Sequence, residues 1–122
     1  MSRNIYMSYL DAKTGEDVRI EVRPPYSLLG GQQSSLKFWS LSRLKEIGIE
    51  RLTILGETDP VMFWGWEDLD LLGREIALLA EHLVELDFDP ETKASWLSHL
   101  TYCYHLLKEM APKDSEPHFD IG

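Results

Sequence analysis

The chain has 122 residues, 43% of them hydrophobic and 27% charged. That balance fits one globular domain and excludes the low-hydrophobicity composition of a disordered chain. A formal net charge of −9 argues against binding to nucleic acid or to an anionic membrane surface. The lone cysteine, Cys103, excludes an internal disulfide and fits a reducing compartment. Met1–Tyr9 lacks the apolar core of a signal segment, and no apolar run approaches the roughly 18 residues that a spanning helix needs. The expectation is a soluble, cytoplasmic protein.

The first elements read as a hairpin. Ile5, Met7 and Tyr9 alternate with Tyr6, Ser8 and Leu10, and Val18, Ile20 and Val22 alternate with Arg19, Glu21 and Arg23. This period of two is that of strands with one buried and one wet face. The polar run Asp11–Asp17, with Gly15, supplies the turn, and Pro24-Pro25 ends the second strand because proline cannot donate to a ladder. Ser27–Ser35 reads as a loop ending in Ser34 and Ser35, either of which can cap a following helix. That helix places Phe38, Leu41 and Leu44 on one side and stops at Gly48. Ile49–Leu55 then reads as a third strand.

Further on the period changes to that of a helix. Leu69, Leu72, Ile76, Leu79, Leu83 and Leu86 recur at spacings of three and four, a continuous seam over Glu67–Leu86. Asp89-Pro90 is a restart signal, a capping carboxylate followed by proline at the first helical position. A second helix over Glu91–Met110 carries Trp96, Leu100, Cys103 and Leu107 on one side, and so short a connection makes the pair antiparallel. The expected fold is therefore α+β: a small antiparallel or mixed three-stranded sheet with one helix, followed by a long antiparallel helical hairpin. It occupies residues 1–111 as a single domain, with 112–122 as a flexible C-terminal tail in which His118 is solvated.

Charge is unevenly spread. Residues 1–56 carry eight Lys and Arg against six Asp and Glu, whereas residues 57–122 carry four against fifteen. Inside this acidic half lies the aromatic segment Val61-Met62-Phe63-Trp64-Gly65-Trp66, where Gly65 lets the backbone bend. Carboxylates at the start of a helix complement its dipole, but one or two suffice, and the window Glu57–Glu91 holds eleven. Tryptophan at the centre of a charged rim is the composition of an interaction hot spot. The candidate partner-binding residues are Glu57, Asp59, Trp64, Trp66, Glu67, Asp68 and Asp70.

Catalytic and cofactor patterns are missing from the sequence. His99 with Cys103, and His105 with Glu109, share helix faces, but neither HExxH nor a second cysteine completes a metal set. Gly30-Gly31-Gln32-Gln33-Ser34-Ser35-Leu36-Lys37 lacks the spacing of a phosphate loop, and no nucleophile elbow occurs. No metal, cofactor or catalytic residue is assigned, and an enzyme is the less favoured class. In small size, acidity and lack of a catalytic signature the chain is similar in kind to bacterial immunity proteins and other inhibitors of basic enzymes. That likeness implies a basic protein partner. Two other classes fit the pattern: a small-ligand binder or enzyme with a pocket between sheet and helices, using Glu67, Asp70 or His99, and a self-associating structural protein or homodimer using the apolar side of the helices.

Overall fold

A computed structural model describes Ser2–Gly122. The protein is α+β, built on a five-stranded antiparallel sheet with its helices on one face. The strands are β1 (Ser2–Leu10), β2 (Asp17–Ile20), β3 (Leu28–Gly31), β4 (Val61–Trp64) and β5 (Glu116–Ile121). They run in the order β2-β1-β5-β4, with β3 also paired to β1. The alternation read from the sequence sets the faces: Ile5, Met7 and Ile20 are buried, whereas Tyr6 and Arg19 are exposed.

Three of these strands were not expected. The tail is one of them: Glu116–Ile121 is a strand pairing with β1 on one side and β4 on the other. Pro117, Phe119 and Ile121 point into the core and His118 and Asp120 out of it, so a polar-looking segment meets the two-sided pairing of a central strand. The aromatic segment supplies β4, with Val61 and Phe63 buried and Met62 and Trp64 exposed. The glycine-containing loop before the first helix supplies β3.

Conversely, the expected strand Ile49–Leu55 is a buried 3-10 turn over Leu52–Gly56. Its backbone is held from a distance. The carboxylate of Glu75, itself 1% exposed, accepts the amides of Glu50, Arg51 and Leu52 at 3.1, 2.9 and 2.9 Å. A carboxylate that gathers three successive amides favours a turn and leaves none of them for a sheet ladder.

The helices are α1 (Gln32–Trp39), α2 (Ser42–Glu46), α3 (Trp66–His82) and α4 (Pro90–Met110). The single helix expected before Gly48 is thus two. Ser40 ends the first by bonding its hydroxyl back to the carbonyls of Leu36 and Lys37. Neither Ser34 nor Ser35 caps it, since the capping position is Gly31 and Ser35 is buried within α1.

Of the two long helices, α4 follows its sequence signals closely, whereas α3 ends at His82 and the expected continuation to Leu86 is a 3-10 turn over Leu83–Glu85. Asp89 accepts the Thr92 amide at 2.9 Å, with Pro90 in the first turn. Gly65, at φ 92°, turns β4 into α3 in a conformation that L side chains rarely adopt. Leu69, Leu72, Ile76 and Leu79 of α3 and Trp96, Leu100, Cys103 and Leu107 of α4 are buried in one cluster with the inner sheet face. Full burial of each such aliphatic side chain stabilises the fold by about 1.5–3 kcal/mol before ordering costs. Gly30 lies so close to Trp96 that an added Cβ would fall 2.3 Å from its ring, which explains a glycine in β3.

Candidate functional site

With the helices gathered on one side, the other side of the sheet is open. Two rows of side chains cross it. Met62 of β4, Asp120 of β5 and Tyr6 of β1 are successive cross-strand neighbours, and so are Trp64, His118, Ser8 and Arg19. Tyr6, Met62 and Trp64 are each 48% exposed, so three large side chains that could have been buried stand in solvent on one face.

Trp64 is held in a fixed orientation. Its ring stacks on His118 with centroids 4.3 Å apart and planes 23° from parallel, and its indole N–H donates to Asp120 Oδ1 at 2.7 Å. His118 Nε2 lies 2.8 Å from Glu116 Oε1, and its Nδ1 lies 3.8 Å from Asp17 Oδ1. The imidazole expected to be solvated in a tail is therefore part of this surface, with a carboxylate near each ring nitrogen.

Beside the upper row is a recess of about 400 Å³ lined by Tyr6, Asp59, Pro60, Met62, Asp120 and Gly122. Its walls are largely apolar, and two carboxylates stand at its rim. Asp59 also lies 3.8 Å from the Nε of Arg3, a residue on the inner side of β1 that is 1% exposed. Arg3 donates to Leu55 O, and burial lowers its pKa from the ordinary value while Asp59 partly offsets that. A second, more polar recess of about 300 Å³ adjoins it between Tyr6, Ser8, Asp17, Arg19 and Asp120.

The residues chosen from the sequence divide among several places. Trp64 and Asp59 belong to the open face. Trp66 does not: it begins α3, packs partly buried against the core, and donates its indole N–H to Ser115 O at 2.9 Å. Asp68 sits at the β4 edge, accepting the Trp64 amide at 3.1 Å and pairing with Arg51 at 2.8 Å. Glu67 and Asp70 are exposed on the early turns of α3, and Glu57 is exposed just after the 3-10 turn. Tyr6, His118 and Asp120 were missed. The alternation of Pro117, Phe119 and Ile121 with His118 and Asp120 was the signal that could have placed the last two.

The space between sheet and helices is filled by the core, with Phe38, Leu72, Leu79 and Phe119 fully buried. His99 is tied to that packing by a 2.7 Å contact from Nδ1 to Leu28 O. The apolar side of the long helices is turned inward onto the core. Among the described residues no three metal-ligating side chains converge, and no helix is long and apolar enough to cross a membrane. Compared with known protein families, curated proteins and solved structures, the chain matches none.

Proposed function

We propose that the chain is a protein-binding module whose open sheet face, centred on Trp64, docks a basic protein partner. The observation that carries this reading is the shared exposure of Tyr6, Met62 and Trp64 beside Asp17, Asp59, Glu116 and Asp120. An aromatic and apolar centre holds a complex once its water is expelled, and the surrounding carboxylates steer a cationic surface toward it. The recess beside Met62 has the character that a lysine or arginine side chain needs, with apolar walls for the stem and Asp59 and Asp120 for the charged head. An inhibitor of a basic enzyme, in the manner of an immunity protein, is the most concrete form of this reading.

The test is kinetic. A protein retained from the native host by the wild-type chain should be basic and associate more slowly as salt is raised. It should dissociate faster from Trp64→Ala. Retention unaffected by Trp64→Ala and by salt would refute the assignment of this face.

A further inference from the structure

β4 is the last strand of the sheet, and side chains cover its outer edge. Phe63 pairs with Phe119, and the Gly65 amide donates to Pro117 O at 2.8 Å, so the odd-numbered residues here turn their backbone groups toward β5. Alternation in an antiparallel ladder turns the backbone groups of Met62 and Trp64 the other way, toward the open edge. Two side chains meet them there. Asp68 Oδ2 accepts the Trp64 amide at 3.1 Å, and Arg51 Nη1 reaches Met62 O at 3.5 Å, the weaker contact of the two. The same two atoms, Arg51 Nη1 and Asp68 Oδ2, lie 2.8 Å from each other. The guanidinium is further anchored over the Phe63 ring, 5.3 Å from its centroid. A donor and an acceptor thus occupy the places that the N–H and C=O of a further strand would take.

We infer that the Arg51–Asp68 pair is a guard on the β4 edge, and that without it this edge pairs with the β4 edge of a second copy. The edge is self-complementary. Two β4 strands related by a two-fold axis through Phe63 would set Met62 of each opposite Trp64 of the other, and their free amides and carbonyls would exchange hydrogen bonds reciprocally. The same pairing would cover part of Met62 and Trp64, which are each 48% exposed. An exposed edge of this kind is what soluble proteins block with charged side chains. This inference is independent of the basic partner proposed above.

The experiment compares wild type, the double variant Arg51→Ala/Asp68→Ala, and Asp70→Ala by light scattering and amide hydrogen exchange. Asp70 is a neighbouring exposed carboxylate that makes no contact with the edge, so its removal controls for lost charge. Wild type and Asp70→Ala should have monomer mass, and the double variant should reach twice that mass with its Met62 and Trp64 amides slowed. A double variant with native circular dichroism that stays monomeric at its solubility limit overturns the inference. Equal dimerisation of Asp70→Ala, or a wild-type dimer with the Met62 amide protected, overturns it too. If the double variant fails to fold, exchange in the wild-type protein decides. The guard requires a slowed Trp64 amide beside a freely exchanging Met62 amide, and a fast Trp64 amide refutes it.

Discussion

Trp64 lies face to face with His118 on the outer side of the sheet, and the indole N–H fixed on Asp120 leaves its other face to solvent. A ring that is already oriented loses little freedom on binding, which is the property of a docking anchor. Trp64→Ala removes that stack and one hydrogen bond from an exposed site, so its cost to folding should be about 1 kcal/mol. Its cost to the complex should be larger, about 30-fold or more in Kd, the factor that corresponds to roughly 2 kcal/mol at a hot spot. Urea unfolding and surface-binding kinetics measure the two separately, and a fold loss exceeding the binding loss would make Trp64 a structural residue.

Charge at the rim should act on the other rate. Glu116 flanks His118 and is half exposed, with 51% of its side chain accessible. Glu116→Lys should lower the association rate constant for a basic partner and flatten its salt dependence, with dissociation little changed. An association rate indifferent to both salt and Glu116→Lys would mean that the acidic rim serves solubility alone.

Glu75 is the group on which the 3-10 turn depends. Glu75→Ala would strip three amides of their acceptor, that of Leu52 buried and those of Glu50 and Arg51 partly so, at a cost of about 3 kcal/mol. Glu75→Gln keeps one acceptor oxygen and should cost less. Chemical denaturation gives both values. Two variants of equal and small cost would show that water enters to satisfy Glu50, Arg51 and Leu52.

The sequence made the long helices legible because their determinants are local. A seam repeating every three or four residues, and Asp89 ahead of Pro90, act within one or two turns. The sheet was only half legible because its pairing is not local. β5 joins residues more than a hundred positions away in β1 and more than fifty away in β4, and neither partner can be seen from Glu116–Ile121 alone. Ile49–Leu55 is a short apolar run, the pattern for which strand and buried turn look alike. What decided it was Glu75, a residue on the opposing helix. The two tryptophans show the same limit. Trp64 becomes an outward residue only once β4 takes its register against β5, and Trp66 becomes a packed one only because Gly65 redirects the chain between them.

Chain truncation tests the position of β5 directly. Ending the protein at Ser115 would delete Phe119 and Ile121, both fully buried, and leave β1 and β4 without their shared neighbour. The shortened chain should lose its near-ultraviolet circular dichroism and show no cooperative unfolding transition. A truncated protein that unfolds with near wild-type stability would return residues 116–121 to the status of a tail.

Cys103 provides a check on the core that needs no partner. It sits on the buried side of α4 with no exposed surface, its Sγ 3.3 Å from Tyr26 O, and burial pushes its thiol from the ordinary 9.0 up to about 12. The thiolate is the reactive species, so iodoacetamide at pH 8 should leave the native protein unmodified and label it rapidly in urea. The same shift bears on stability. Between pH 9.0 and about 12 the unfolded chain releases this proton and the native state keeps it, so ionisation favours unfolding as pH rises. Stability from this group is complete below pH 9.0 and is lost above it, by up to about 1.4 kcal/mol per pH unit. The measurement is the difference in slope between wild type and Cys103→Ala. The alanine variant should be less stable at pH 7, from the cavity it leaves, yet lose stability less steeply above pH 9. Equal slopes, or alkylation of the native protein at the rate of a free thiol, would mean that α4 does not bury this face as described.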